Sequence, residues 1–105
     1  MAHQDLAPKE FLEAYNNTTE DAVLLDVRTA AEIAEANIDG HIAIDIQQPS
    51  FMEKIGNLDK SKTYFVYCRS GNRSGQACRY MATQGFDKLY NLKGGMMAWM
   101  ETDFE

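Results

Sequence analysis

The sequence is short of several features, and each shortage excludes a class of protein. It has no apolar run of about 18 residues, the length that predicts a membrane-spanning helix. It has two cysteines and two histidines, too few for a disulfide framework, and the cysteines fit no zinc spacing. Its 16 acidic residues exceed its 10 basic ones, for a net charge of −6, which argues against nucleic acid as the main partner. We therefore expect neither metal, cofactor, membrane nor nucleic acid as a requirement for function.

The first residues, Met-Ala-His-Gln-Asp, have no basic segment followed by an apolar one, the pattern of a secretory signal. Together with the small number of cysteines, this predicts a cytoplasmic protein with reduced thiols. A secreted form from which a signal had been removed would fit the same residues.

Length and composition are those of one ordinary globular domain. The chain has 105 residues, of which 45% are hydrophobic and 25% charged, so we predict a single domain over residues 1–105. The charge is unevenly placed, because Asp87 is the only acid between Lys60 and Lys93. This basic segment favours a site for a small anion, although an uneven surface explains the count equally well.

Helices and strands alternate along the chain. Helical spacing and composition predict helices at 8–16, 30–36, 51–56, 73–84 and 96–100. Apolar and β-branched runs predict strands at 22–27, 42–44, 63–67 and 89–92. Helical crossovers favour an α/β fold, with a mainly parallel sheet of about five strands and helices on both faces. In such sheets the ligand crevice lies beyond the carboxyl ends of the strands.

Cys68 directly follows the best predicted strand, so we expect it in that crevice and at the protein surface. Arg69 and Arg73 place positive charge nearby, and Gly71 allows backbone conformations that other residues resist. The start of the next helix and the successive N–H groups of this loop would favour a thiolate. A buried, inert cysteine is the alternative for an isolated Cys, but polar and basic neighbours favour a reactive one.

Cys78 is the opposite case, because it lies within a predicted helix on an apolar face with Met81. Core packing is the favoured interpretation, and a disulfide with Cys68 is the alternative. Three methionines near Trp99 are likewise interpreted as core packing, although methionine-rich surfaces can also bind partners; they are Met96, Met97 and Met100.

Four segments, in the same order, resemble the rhodanese family of sulfurtransferases. They are Leu24-Leu25-Asp26-Val27-Arg28 with Glu32, Ile38 to Ile42, Tyr64 to Ser74 with Cys68, and Leu92 to Trp99 with its Gly-Gly pair. The second segment departs from the usual pattern, with Asp39 where proline is common. The resemblance covers nearly the whole chain and implies a single-domain, rhodanese-like fold.

The resemblance also implies a function and a set of roles. Cys68 would take a sulfane sulfur from a small anionic donor such as thiosulfate, hold it as a persulfide, and pass it to cyanide, a thiol or a protein thiol. The surrounding loop would bind the substrate; its residues are Arg69, Ser70, Gly71, Asn72 and Arg73. Arg69, at the mouth of the loop, would bind the anionic end of the donor, and Arg73, at the start of the helix, would anchor the loop. Four further residues would support that loop: Asp26, Arg28, Glu32 and Ser74. Within this group we expect Arg28 to bridge to Glu32 and Asp26 to hold loop backbone.

Two other functions stay open. Cysteine phosphatases and arsenate reductases share this fold, but their loop has one residue more between cysteine and arginine than the four between Cys68 and Arg73. A persulfide carrier or partner-binding module without its own catalysis is the second alternative, and the loop sequence does not separate a carrier from an enzyme.

Overall fold

The computed structural model describes residues 3–18 and 20–105. Its strands are β1 Gln4–Leu6, β2 Ala22–Asp26, β3 His41–Ala43, β4 Thr63–Tyr67 and β5 Lys88–Leu92. Its helices are α1 Pro8–Asn17, α2 Ala30–Glu35, α3 Phe51–Gly56, α4 Asn72–Thr83 and α5 Gly95–Glu101. None of these helices is both long and apolar enough to cross a membrane.

The five strands form one parallel sheet in the order β1-β5-β4-β2-β3. Strand β4 lies at its centre, and all five of its residues are buried. Because the strands are parallel, the segments that leave β2 and β4 emerge at the same edge of the sheet. This edge brings the Asp26–Glu32 region beside the loop that begins at Cys68.

An apolar cluster covers each face of the sheet, which explains the near-continuous hydrophobic runs in β2 and β4. Leu25 and Val66 face a cluster formed with α3 and α4, whereas Leu24 and Phe65 face one formed with α1 and α5. Alternate residues of a strand point to opposite faces, so a strand covered on both faces needs apolar side chains throughout. The predicted α/β fold, with helices on both faces of the sheet, is therefore confirmed.

Strand β1 was not among the predicted strands. It has three residues, of which Gln4 and Asp5 are exposed, and so it lacks the alternation that indicates a strand. It forms because its backbone pairs with β5, with Asp5 opposite Asn91 and Leu6 opposite Leu92. The predicted strand at 42–44 begins one residue earlier than expected.

Candidate active site

Cys68 lies at the base of the loop between β4 and α4, with its side chain fully buried. The expectation of a thiol at the surface is therefore wrong, because the loop folds over the sulfur. Two donors reach Sγ: the Gly71 N–H at 3.1 Å and the Ser74 hydroxyl at 3.2 Å. The buried sulfur is thus held by polar groups, unlike an inert cysteine of the core.

These contacts set the acidity of the thiol. Burial alone raises the pKa of Cys68, but the two hydrogen bonds, together with the nearby N–H groups of Ser74 and Ser70, favour the charged form. Their combined effect is larger, and the pKa of Cys68 lies below the ordinary value of a thiol. A lowered pKa increases the fraction of thiolate, which is the nucleophilic form.

Gly71 shapes the loop because it stands immediately before α4 with φ +99°, a conformation in which side chains are strained. Its carbonyl accepts the Gly75 N–H at 3.0 Å, the first hydrogen bond of the helix. Because Gly71 precedes the helix, its own N–H has no acceptor within the helix, and it donates to the sulfur. Ser74, one turn into α4, is fully buried and completes the pair of donors.

A second glycine supports the loop from the side of α5. The N–H groups of Met96 and Met97 donate to the carbonyls of Cys68 and Arg69 at 2.9 and 3.0 Å. This approach is possible only because Gly95 has no side chain, since a Cβ there would lie 2.4 Å from the Arg69 carbonyl oxygen. No function was predicted for Gly95, although the two consecutive glycines of the Leu92–Trp99 segment were a signal.

The outer residues of the loop are exposed. Arg69, Ser70 and Asn72 face solvent, and within residues 3–18 and 20–105 Arg69 makes no salt bridge. Its guanidinium is therefore available to an anion. The sequence predicted Arg69 at the mouth of the site, and its exposure is compatible with that prediction.

Arg73 lies in the first turn of α4, and its contacts fit the anchoring role expected for it. Its guanidinium forms two hydrogen bonds with the Glu32 carboxylate, at 2.8 and 2.7 Å. Hydrogen bonding to Arg73 lowers the pKa of Glu32 to about 2, and Glu32 in turn raises that of Arg73. Glu32 is held by a capping box, in which its carboxylate accepts the Thr29 N–H and its N–H donates to the Thr29 hydroxyl. Arg73 thus joins residues 68–73, the sulfur loop, to α2.

Arg28 was expected to bridge to Glu32, and it reaches only the backbone of that residue: its Nη1 donates to the Glu32 carbonyl at 3.4 Å, not to the carboxylate. Its guanidinium pairs with the buried Asp26 carboxylate at 2.8 Å, because the Glu32 carboxylate is already bound to another arginine. The Asp26 carboxylate also accepts the Arg28 N–H at 2.9 Å, as predicted for a residue that holds loop backbone. Arg28 then donates to the carbonyl of Ala36 at 2.7 Å and stands over the Tyr67 ring.

A groove of about 180 Å³ runs from Arg69 along α2 and α5. Met96 is buried beneath it, but Met97 and Met100 are 46% and 62% exposed. The interpretation of all three methionines as core packing is therefore wrong for Met97 and Met100. A larger open depression, of about 490 Å³, lies on α1 beside Phe104 and includes no residue of the sulfur loop.

Cys78 is fully buried in the cluster beneath α4. Burial raises its pKa to about 12, so it is a poor nucleophile, and both cysteines are free thiols. In the described part of the chain, no three His, Cys, Asp or Glu side chains are grouped so as to hold a metal ion.

Comparison with known proteins identifies the family and the fold. The family model of the rhodanese-like domain matches residues 7–102. A sulfurtransferase of Allochromatium vinosum is 41% identical over 81 residues, which are 77% of this chain and 74% of that protein. Thiosulfate sulfurtransferase GlpE of Shewanella oneidensis is 32% identical over 80 residues, 76% of this chain and 77% of the other. A rhodanese-related protein from Thermoplasma volcanium aligns with a TM-score of 0.80 at 26% identity, over 97% of this chain and 95% of that one.

The chain therefore belongs to the rhodanese-like domain family. Its fold is the rhodanese-like α/β fold that the sequence resemblance implied.

Proposed function

We propose that this protein is a sulfurtransferase that carries a sulfane sulfur as a persulfide on Cys68. The observation that carries the proposal is the pair of hydrogen bonds that the buried Cys68 sulfur receives from the Gly71 N–H and the Ser74 hydroxyl. The lowered pKa of Cys68 is consistent with these contacts. A polar loop of this kind stabilises a sulfur anion, whether it is the thiolate or the terminal sulfur of a persulfide. The sulfurtransferase names of two relatives support the same chemistry.

The transfer has two balanced steps. The Cys68 thiolate attacks the outer sulfur of thiosulfate, a new S–S bond forms, and sulfite leaves with the electron pair of the broken S–S bond. An acceptor nucleophile, cyanide or a thiolate, then attacks the terminal sulfur, and the Cys68 thiolate is regenerated. No external oxidant or reductant is needed, and the two half-reactions give ping-pong kinetics.

Arg69 is the candidate for binding the anionic end of the donor. It is exposed at the loop and has no salt-bridge partner within residues 3–18 and 20–105. Guanidinium groups bind such oxyanions through charge-assisted hydrogen bonds. Ser70 and Asn72 line the same mouth, and Arg73 supports the loop rather than the donor because its guanidinium is bound to Glu32.

The ion pair between Arg73 and Glu32 argues against the phosphatase alternative. Arg73, the arginine that corresponds to the end of the phosphatase loop, is bound to the Glu32 carboxylate and is not available to phosphate oxygens. The Ser74 hydroxyl and the Gly71 N–H already converge on one sulfur atom. A carrier without catalysis of its own uses the same persulfide and differs from an enzyme only in turnover.

The test is intact-mass measurement after incubation with thiosulfate. We expect the wild-type protein to gain the mass of one sulfur atom and to lose it on addition of cyanide. Cys68→Ser should gain none, and Cys78→Ala should gain it as the wild type does. Absence of the adduct in the wild type, or an adduct that persists in Cys68→Ser, would refute the proposal. Repeated turnover with small thiols or cyanide then distinguishes an enzyme from a dedicated carrier.

A further inference from the structure

The side chain of Asn91, on β5, contacts the sulfur loop at Gly71. Its side-chain Nδ2 donates to the Gly71 carbonyl at 3.1 Å and to the Asp5 carboxylate at 2.9 Å. The residue is 4% exposed and packs against the first turn of α4, where a Cβ on Gly75 would lie 3.6 Å from the same nitrogen. Asn91 is therefore in contact with the segment that carries the sulfur-binding N–H group.

The orientation of the Asn91 amide follows from its neighbours. The Asp5 carboxylate and the Gly71 carbonyl are both acceptors, so the NH₂ group must face them. The amide oxygen Oδ1 is then buried, and among residues 3–18 and 20–105 it has no hydrogen-bond partner. A buried acceptor without a partner lowers stability, and an apolar side chain of similar size would avoid this loss. Local costs of this kind are expected where a residue serves function.

Asn91 influences the Cys68 sulfur indirectly, through Gly71. The carbonyl of Gly71 accepts from Asn91, and its N–H donates to Cys68 Sγ at 3.1 Å. Gly71 is conformationally free, because glycine has access to both signs of φ. The hydrogen bond from Asn91 to the Gly71 carbonyl, in addition to the one from the Gly75 N–H, restricts the directions in which the Gly71 N–H can point.

The pairing of the edge strand β1 with β5 places Asp5 beside Asn91. The two residues stand opposite each other in the parallel β1–β5 pair. Asp5 is an exposed residue on a strand of only three residues. The N-terminal strand thus contributes a side chain to the support of the loop, although no residue of β1 belongs to the site itself.

We propose that Asn91, oriented by Asp5, is a positioning residue that holds the Gly71 N–H on the Cys68 sulfur. The inference rests on the proposed sulfur chemistry of Cys68 and adds a residue on which its reactivity depends. Loss of the amide should leave the fold intact and make the sulfur a weaker nucleophile near neutral pH.

The experiment measures the pH dependence of Cys68 alkylation by iodoacetamide in wild type and Asn91→Leu. Trypsin places the two cysteines on separate peptides, residues 63–69 and 74–79, so modification of Cys68 is counted by itself. We expect alkylation of Asn91→Leu near neutral pH to be slower by on the order of 3- to 10-fold, because one hydrogen bond to a charged sulfur is weakened. The pH midpoint of the rate should move upward, and thiosulfate-dependent mass gain should slow in parallel.

Leu6→Ala is the control for a purely structural role. Leu6 also belongs to β1 and packs in the core beneath α1 and α5, but its side chain makes no hydrogen bond to the loop. Its melting temperature should fall while the midpoint of Cys68 alkylation stays at the wild-type value. A merely structural Asn91 would instead make the alkylation rate follow thermal stability in both variants, and that result would overturn the proposal.

A second pair of variants keeps the test decisive if Asn91→Leu does not fold. Asp5→Asn retains an oxygen that can accept from the Asn91 amide, whereas Asp5→Ala removes it, and both lose the same negative charge. We expect slower Cys68 alkylation in Asp5→Ala than in Asp5→Asn. Equal rates would overturn the role of Asp5 in orienting the amide. Failure of wild type to accept sulfur would refute the proposed function, whereas the alkylation comparison would still decide the role of Asn91.

Discussion

Gly95→Ala tests how closely α5 must approach the sulfur loop. Gly95 has φ +59°, and a Cβ built on it lies 2.4 Å from the carbonyl carbon and oxygen of Arg69 and 2.6 Å from the Cys68 oxygen. These are backbone atoms, so no side-chain rotation relieves the overlap. Ordinary contact begins at 3.4 Å, and the loop and helix must separate by 3.4 − 2.4 = 1.0 Å.

The cost can be estimated from the contacts that this shift breaks. A separation of that size lengthens the hydrogen bonds from Met96 and Met97, now 2.9 and 3.0 Å, beyond useful range, at about 1 kcal/mol each. A left-handed alanine adds about 1–2 kcal/mol. The free energy of unfolding should therefore fall by about 3–4 kcal/mol, and the melting temperature by on the order of 15–25 °C.

Urea unfolding of three alanine variants measures this effect. Gly85 also has a positive φ of +99°, but its added Cβ would only touch the flexible Lys60 side chain at 3.5 Å, so Gly85→Ala should lose about 1–2 kcal/mol. Gly56 has no heavy atom within 4 Å of an added Cβ, and Gly56→Ala should be neutral or stabilised by up to about 1 kcal/mol. The reasoning is refuted if Gly95→Ala is no less stable than Gly85→Ala.

Four further outcomes are expected. Asp26→Asn should lower the free energy of unfolding by about 3–5 kcal/mol, because it leaves the Arg28 charge buried without a counter-charge; urea unfolding close to wild type would contradict this. The pKa of Glu32 falls from an ordinary 4.5 to about 2 in the folded protein, so its contribution to stability is complete above about pH 4.5 and is lost as the pH falls towards 2. The free energy of unfolding, measured as a function of pH in acid, should depend less on pH in Glu32→Gln than in wild type. The difference should be small because the Arg73–Glu32 pair is partly exposed. Arg69→Ala should raise KM for thiosulfate more than it lowers kcat, and by less at high salt; an unchanged KM at low ionic strength would remove Arg69 from the donor site. The wild type should not hydrolyse an aryl phosphate, and hydrolysis that depends on Cys68 would instead support the phosphatase alternative.

The sequence predicted the layered fold and the place of the nucleophile for a clear physical reason. The runs at 22–27 and 63–67 are apolar at every position except Asp26 and Thr63, and a strand covered on both faces needs such a pattern. Parallel strands then direct all their carboxyl ends to one edge of the sheet, so Cys68 had to stand in the loop at that edge. The reactivity of Cys68 could be predicted because the polar and basic residues that indicate it are its neighbours in the sequence.

The tertiary structure decided which partners these residues have. Arg73 and Glu32 are 41 positions apart, and their pairing depends on how α2 and α4 meet beside the sheet. The guanidinium of Arg28 pairs instead with the Asp26 carboxylate and reaches Glu32 only at its backbone carbonyl. Strand β1 has no pattern of its own and exists because β5 offers a free edge. Local patterns determine burial and backbone conformation along an element, whereas ion pairs and edge strands depend on distances between elements that no local pattern contains.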